Sequence, residues 1–290
     1  MASNAQCTFI HRLSVVMTLV AITASTGVSA EDRALDPATQ AALQAAIDGA
    51  HRSEASRARD VYRRPLETLS FFGFRSDMTV VEIWPGSGWY TEILAPALRE
   101  RGKLYAAQYS VNPSYGYQRR YFGAFLTRLG ETPDLYRDVE ITALDFPYEL
   151  GIAPAGSADM VLTFRNAHNW VNPAYGEQAA NLSFKVMFDV LKPGGVLGVV
   201  DHRWPDPADE DPAAENGYIS EARIIALAEA AGFELAARSD INRNPRDTHV
   251  HPRGVWTLPP SLALGDEDRA KYLAIGESDR MTLKFIRPAE

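Results

Sequence analysis

An acidic residue and a glycine turn lie between an apolar run and a helical pattern in the first third of the chain. Glu82 lies near the end of the run "TVVEIW", and Gly86, Ser87 and Gly88 form the turn before "WYTEILAPAL". Glycines let a ligand approach the backbone closely, and the start of a helix offers N–H groups without partners. These residue types at this spacing favour a loop that binds a nucleotide-like ligand.

The same loop carries two residues where small, permissive ones are expected. Trp84 and Pro85 precede the first glycine. Pro85 would stiffen the turn because its ring fixes the backbone. Two placements are open to the Trp84 indole: it points into the cleft, where it narrows the pocket or stacks there, or it packs against the sheet.

Another polar side chain ends the next apolar run, "KLYAAQY". Gln108 lies about 20 residues beyond the glycine turn, where nucleotide-binding folds often carry an acid that grips the ribose hydroxyls. An amide can hydrogen-bond a hydroxyl but offers no charge. Gln108 is therefore a candidate ribose contact without the usual carboxylate.

Histidines follow several of the apolar runs. His168 lies in "FRNAHNW" close to Asn166, and His202 directly follows "GVLGVVD". His249 and His251 lie in the long segment before the last run. A neutral imidazole at this edge could take a proton from a substrate hydroxyl or amine. The alternative for each is a loop histidine that hydrogen-bonds the backbone.

Metal binding is a further interpretation of the same histidines. Asp201, His202, His249 and His251 combine a carboxylate with imidazoles, which suit several transition metals. The His-x-His spacing on an extended segment places both side chains on one face, but this spacing is common by chance. We therefore predict no metal ligands among the site residues.

Apolar strands alternate with helices from residue 79 onward. The predicted strands are "TVVEIW", "KLYAAQY", "EITAL", "ADMVLTF", "GVLGVVDH", "ELAARSD" and "RMTLKFI". This alternation predicts an α/β fold: a Rossmann-like, doubly wound, mostly parallel seven-stranded sheet with the last strand antiparallel, plus N-terminal helices. Ligands bind such sheets beyond the carboxyl ends of the strands. The long segment before the last strand is a candidate lid or pocket element.

The helical patterns divide the chain further. Three N-terminal helices, of which the second covers "EASRARDVYRR", predict a helical cap over residues 31–78, and the main domain then covers residues 79–290. The segment "WYTEILAPALRERG" predicts a helix that is kinked or broken near Pro96. "GYQRRYFGAFLTRLG" favours an amphipathic helix, although its aromatic and cationic side chains could also cover a substrate.

The segment "LKPGGVLGVVD" combines a helix end, a tight turn and a buried strand. This segment follows "EIWPGSG" along the chain, and the order of the two motifs is the stronger part of the signal. From Thr79 to Phe285 the chain therefore resembles the class I S-adenosylmethionine-dependent methyltransferases. It is most similar to secreted or predicted methyltransferases with an EIWPG-type first motif and a "DR...LKF" final strand. The resemblance implies S-adenosylmethionine as the cofactor and methyl transfer to a small molecule or an exported substrate.

The resemblance also implies roles for individual residues. The glycine loop would surround the methionine and ribose parts of the cofactor, Gln108 would face the ribose, and Asp145 in "ALDFPY" would lie by the adenine. The residues after the fourth strand would lie between cofactor and substrate. The predicted cofactor contacts are Glu82, Trp84, Gly86, Ser87, Gly88, Gln108, Asp145 and Arg165, and the predicted catalytic residues are His168, Asn166 and His202. Trp84 replaces the first glycine of the usual pattern, and Gln108 replaces the acid.

The first 30 residues differ from the rest of the chain. His11 and Arg12 precede the apolar stretch "LSVVMTLVAITASTGV", and Ser29 and Ala30 follow it. A basic start, a short apolar run and small residues at its end are typical of a cleavable signal peptide. We expect cleavage near Ala30 and a secreted or periplasmic protein. An uncleaved anchor is the alternative, and it also places the domain outside the cytoplasm.

Composition narrows the range of partners. Cys7 is the only cysteine and lies in the predicted signal peptide, so the mature chain has no disulfide and no cysteine-ligated metal. The formal net charge of -8 and the lack of basic clusters argue against nucleic acid or anionic lipid as a partner. We expect a small-molecule substrate and no stable membrane insertion of the mature chain. The sequence does not fix the oligomeric state.

Three functions follow from these patterns. The leading one is an S-adenosylmethionine-dependent methyltransferase. The second is a non-catalytic methyltransferase-fold binding protein in the periplasm, motivated by Trp84, Gln108 and the compartment, which has no obvious supply of the cofactor. The third is a metal- or histidine-dependent enzyme on the same fold. No serine nucleophile elbow or lysine-containing phosphate loop occurs, so acyl transfer and nucleotide hydrolysis are poorly supported.

Overall fold

The computed structural model of the protein describes Met1 and residues 35–289. The predicted signal peptide lies outside these residues, apart from Met1. Residues 35–289 belong to one compact unit. In the described part of the chain, no helix has both the length and the apolar character needed to cross a membrane.

Eleven α-helices and nine strands make up the described fold. The helices are α1 (Pro37–Ile47), α2 (Glu54–Arg57), α3 (Asp60–Arg63), α4 (Pro65–Phe72), α5 (Thr91–Leu98), α6 (Gly116–Glu131), α7 (Pro133–Tyr136), α8 (Ala167–Trp170), α9 (Ala179–Val190), α10 (Glu221–Ala230) and α11 (Arg269–Ile275). The strands are β1 (Thr79–Ile83), β2 (Lys103–Gln108), β3 (Glu140–Ala143), β4 (Ala158–Phe164), β5 (Leu191–Trp204), β6 (Ile219–Ser220), β7 (Glu234–Ser239), β8 (Pro252–Val255) and β9 (Arg280–Ile286).

Seven strands form one continuous sheet in the order β3-β2-β1-β4-β5-β9-β7. Strands β1 to β5 pair in parallel, and β9 runs antiparallel to both β5 and β7. The two-residue β6 pairs in parallel with the last two residues of β5. This order confirms the predicted Rossmann-like sheet with an antiparallel last strand.

Apolar side chains cover both faces of the sheet. On one face Leu43 of α1, Phe72 of α4 and Ile93 of α5 are fully buried in one cluster, and on the other Phe125 of α6 and Phe184 of α9 are fully buried in a second. Burial of this apolar surface supplies the main driving force for folding. The N-terminal helices α1 and α4 are therefore part of the layer that covers the sheet.

The predicted second helix and the predicted turn in "LKPGG" differ from the structure. The predicted second helix is split into α2 and α3, and Arg64 follows in a left-handed conformation with φ 39° before Pro65. The turn in "LKPGG" is a bulge within β5, because Leu191 pairs with Ala158 and Val196 already pairs with Met160.

The helix α5 is continuous through Pro96 and ends at Leu98. Proline has no N–H, so the carbonyl of Glu92 loses its usual partner one turn later. The His51 Nε2–H donates to that carbonyl oxygen at 2.8 Å. A side chain from the turn between α1 and α2 thus replaces the missing helical hydrogen bond, and of the predicted kink or break at Pro96 the break does not occur.

Candidate active site

A cavity of about 520 Å³ opens at the carboxyl ends of β1, β4 and β5. The glycine loop after β1 and the turn after β4 line it, together with α3 and the start of β9. Trp256 and Pro259, from the long segment before β9, complete the wall. The segment predicted as a lid or pocket element therefore lines the cavity.

The two glycines of the turn have different surroundings. Gly86 has φ 62°, lines the cavity, and a Cβ placed there would meet no atom within 4 Å. Gly88 has φ 87°, and its Cβ would lie 3.1 Å from Phe125 and 3.2 Å from Arg128. Gly86 thus leaves room for a ligand, whereas Gly88 allows close packing of α6 and does not line the cavity. Ser87 lines the cavity beside Gly86.

Glu82 contributes a buried carboxyl group to the cavity. Its side chain is 2 % exposed, and Oε2 accepts a hydrogen bond from Thr91 Oγ1 at 2.6 Å. Burial raises the pKa of Glu82 from 4.5 to about 7, because the charged form loses its hydration. The group therefore exchanges a proton near neutral pH.

The Trp84 indole packs at the carboxyl edge of the sheet and is 4 % exposed. Its Nε1–H donates to the carbonyl oxygen of Leu144, directly after β3, at 2.8 Å. Its ring lies between 5.0 and 6.1 Å from the rings of Tyr109, Phe146, Trp170 and Tyr175. The indole therefore fills space next to Asp145, where the resemblance implies adenine.

Gln108 and Asp145 do not line the cavity. Gln108 is fully buried: its Nε2 donates to the Gly86 carbonyl at 2.8 Å, and its Oε1 accepts from the Tyr109 N–H at 3.1 Å. An acid at this position would place an acceptor against the Gly86 carbonyl, so the amide suits this loop. Asp145 forms an isolated bridge with Glu149. The structure thus keeps both away from the cavity in which they were expected to bind ribose and adenine.

His168 and Asp201 form a buried hydrogen-bonded pair. The distance from His168 Nδ1 to Asp201 Oδ1 is 2.8 Å, and Asp201 also accepts the backbone N–H groups of His168 and His202 at 3.2 and 2.7 Å. With the Nδ1 proton on the carboxylate side, Nε2 carries a lone pair, and the Asn169 amide lies 3.1 Å from it. An imidazole held in this tautomer can accept a proton at Nε2.

The predicted convergence of four histidines holds for two of them. The rings of His168 and His202 lie 5.2 Å apart, and both line the cavity. His202 Nδ1 lies 2.5 Å from Ser278 Oγ, and burial, together with the nearby His168, lowers the pKa of His202 well below its ordinary value. His202 is therefore neutral at pH 7.

His249 and His251 lie outside the cavity. His249 Nε2 lies 3.3 Å from Asp279 Oδ2, and His251 Nε2 lies 2.8 Å from Asp247 Oδ1. Each is thus held by a carboxylate of the C-terminal segments. In the described part of the chain, only His168, Asp201 and His202 place three donor atoms within 4.8 Å of one another. Within this group, His168 Nδ1 and Asp201 are already hydrogen-bonded to each other.

Asn166 lines the cavity, but its amide faces the protein. Its Nδ2 donates to the carbonyl oxygen of Ile83 at 2.8 Å and lies 3.2 Å from Thr163 Oγ1. It thus joins the turn after β4 to the end of β1. Asn166, which we predicted as a catalytic residue, therefore uses its amide N–H groups to hold two segments of the cavity wall together.

Arginines from distant parts of the chain also line the cavity. Arg165, with φ 64°, was predicted here, whereas Arg59, Arg63 and Arg280 were not assigned to the site from sequence. Glu277 lies among them, 2.5 Å from Arg59 Nε and 3.5 Å from Arg63 Nε, and also pairs with Arg280. Because α3 and β9 are far apart in the sequence, no local motif indicates this cluster.

No protein-family model matches this sequence, and no curated protein matches it. Solved structures do match. A S-adenosylmethionine-dependent methyltransferase from Aquifex aeolicus has 16% identity and a TM-score of 0.50, covering 86% of this chain and 98% of its own. The [4+2]-cyclase SpnF has 14% identity and a TM-score of 0.51, with 88% and 98% covered.

A third match is the Haemonchus contortus phosphoethanolamine N-methyltransferase 2, in complex with S-adenosyl-L-methionine. It has 15% identity and a TM-score of 0.51, with 78% of this chain and 53% of the other covered. The protein therefore has the fold of the S-adenosylmethionine-dependent methyltransferases. Because one protein of similar fold is a cyclase, the reaction has to be argued from the cavity.

Proposed function

We propose that the protein is a S-adenosylmethionine-dependent methyltransferase that acts on a small molecule outside the cytoplasm. The observation that carries this proposal is the open space over Gly86, in a cavity at the carboxyl edge of a methyltransferase-fold sheet. His168 lines the same cavity and is hydrogen-bonded to Asp201. Export rests on the N-terminal sequence pattern alone.

The residues present fit the cofactor in a modified arrangement. Gly86 and Ser87 would hold its amino-acid and ribose parts, because no side chain fills the space over Gly86. The aromatic side chains of Trp84, Tyr109 and Tyr117 line the cavity and would contact the adenine ring. Asp145 would not contact the cofactor, because it does not line the cavity. When bound, the cofactor supplies an activated methyl group on a sulfonium.

The chain itself supplies a base beside the cavity wall. Asp201 fixes His168 with its lone pair on Nε2, and an acceptor hydroxyl or amine would replace the Asn169 amide there to give up its proton. The neutral His202 shares the wall without adding charge. Trp256 and Pro259 form part of the cavity wall. The protein would accelerate the reaction further by holding the methyl donor and the acceptor in position for transfer.

A binding protein without methyl transfer is the second candidate. The observation that favours it is the tightly packed Trp84, whose N–H and ring are both engaged next to Asp145. Gln108 is likewise turned onto the Gly86 carbonyl. In this case the cavity would still bind a small molecule, but the chain would have no affinity for S-adenosylmethionine.

Calorimetric titration with S-adenosylmethionine and S-adenosylhomocysteine separates the two candidates. We expect binding by the natural protein and none by Gly86→Arg, whose side chain would fill the open space. Gly156→Arg is a matched control, since Gly156 is exposed with φ 61° and has the same free surroundings. Absence of binding at millimolar ligand would refute the methyltransferase. Equal binding by both variants would move the site elsewhere.

A further inference from the structure

Five arginines line the cavity, Arg120 among them, and the other four lie close enough to repel one another. Arg59, Arg63, Arg165 and Arg280 all line it, and Arg63 and Arg165 each interact unfavourably with other members of the group. Glu277 is the carboxylate among them. This concentration of positive charge is unusual for a protein whose net charge is -8.

Arg63 is buried without adequate partners. Its side chain is 2 % exposed, and neither Nε nor one terminal nitrogen has a hydrogen-bond partner among the described residues. The nearest carboxylate oxygen, of Glu277, lies 3.5 Å from Nε, and the Trp89 ring lies 4.4 Å from the guanidinium carbon. Burial holds the pKa of Arg63 well below its ordinary value. A buried cation with unused donors is costly unless a ligand satisfies it.

Arg165 has no carboxylate partner either. Within residues 35–289 its guanidinium makes neither a hydrogen bond nor an ion pair, although it lines the cavity. Loss of hydration, with the neighbouring Arg59 and Arg280, lowers the pKa of Arg165 to about 10, which leaves it charged at pH 7. Its left-handed backbone, at φ 64°, is a strained conformation for a non-glycine residue.

A purely architectural role explains only half of the cluster. Arg59 and Arg280 pair with Glu277, which ties α3 to the start of β9. Arg63 reaches Glu277 only at 3.5 Å and Arg165 forms no ion pair within residues 35–289, so this tie does not explain either of them. Even with Glu277 and Glu82 both ionised, the four arginines leave the cavity with excess positive charge. S-adenosylmethionine carries a net positive charge itself, so it does not neutralise this excess.

We propose that Arg63 and Arg165 bind a carboxylate or phosphate group of the methyl acceptor, which makes the substrate an anionic small molecule. The assignment of this anion to an acceptor rests on the proposed function. The anion site itself does not, because it depends only on the unused donors of Arg63 and the unpaired guanidinium of Arg165 in the cavity. Guanidinium forms paired, charge-assisted hydrogen bonds with either oxyanion, so the chemistry fits both.

Calorimetry and thermal shift with inorganic phosphate and with succinate test the site, in a buffer free of other multivalent anions. We expect one of the two to bind and to raise the Tm, and Arg165→Met and Arg63→Met each to weaken it by at least about tenfold. Arg137→Met, at a surface position 61% exposed, should bind like the natural protein. Phosphate binding without succinate binding would identify a phosphoryl group, and the reverse a carboxylate.

The same titrations are repeated with saturating S-adenosylhomocysteine. Unchanged anion affinity is expected if the arginines serve the acceptor. Competition would overturn the assignment, since the arginines would then bind the cofactor's own carboxylate. No binding of either anion, or unchanged affinity in Arg165→Met, would overturn the anion site. Anion binding by a protein that does not bind S-adenosylhomocysteine would refute the proposed function and leave the anion site standing.

Discussion

Replacing Glu82 by glutamine should remove a pH dependence of stability that its burial creates. Burial raises the pKa of Glu82 from 4.5 in the exposed state to about 7 in the folded protein. Between these values the folded state keeps a proton that the unfolded state releases, so stability falls as the pH rises. The full difference corresponds to about 3 kcal/mol, of which about 2.5 kcal/mol is lost between pH 5 and pH 8.

Glutamine mimics the protonated carboxyl and can still accept the Thr91 hydrogen bond. Urea unfolding of the natural protein and Glu82→Gln at pH 5 and pH 8 measures the effect, and every other titrating group cancels in the difference between the two proteins. We expect Glu82→Gln to gain about 2.5 kcal/mol relative to the natural protein over this interval. Glu100→Gln, at an exposed position, should follow the natural protein. A difference that stays constant with pH would refute the account of Glu82.

Three further outcomes are expected. Asp201→Asn should lower the methyl-transfer rate at least about tenfold, because His168 loses its orienting carboxylate; an unchanged rate in a steady-state assay would exclude His168 as the base. Trp84→Phe should lower the free energy of unfolding by about 1–3 kcal/mol in urea titrations, because the Leu144 carbonyl loses its donor; unchanged stability would contradict the packing described. Mass spectrometry of the exported protein should give an N-terminus near Glu31, and an intact N-terminus would contradict cleavage.

The sheet could be predicted from the sequence because each strand carries its own apolar signal. "TVVEIW" and "ADMVLTF" are buried on both faces, and the clean alternation of "RMTLKFI" is typical of the antiparallel last strand. The order of "EIWPGSG" and "LKPGG" along the chain then limited the possible arrangements of the strands in the sheet. Whether the helix breaks at Pro96 could not be predicted in this way, because the replacement hydrogen bond comes from His51 in the turn between α1 and α2.

The site was only partly predictable because its side chains meet through tertiary contacts. Gly86 and Gly88 look equivalent in the sequence, yet only Gly86 faces the cavity, since α6 packs on Gly88. Gln108 looked like a ribose contact, but its amide closes the loop onto Gly86. The contact between Arg63 and Glu277 joins residues more than 200 positions apart, and no local pattern indicates such a pair.

A crystal structure of the complex with S-adenosylhomocysteine tests the central claim most directly. We predict density for the amino-acid and ribose parts over Gly86, with the adenine ring against Trp84 and Tyr109 and the indole still bonded to Leu144. Density on the far side of the indole, beside Asp145, with Trp84 displaced, would contradict this arrangement. A cavity that stays free of the ligand at saturating concentration would contradict the methyltransferase itself.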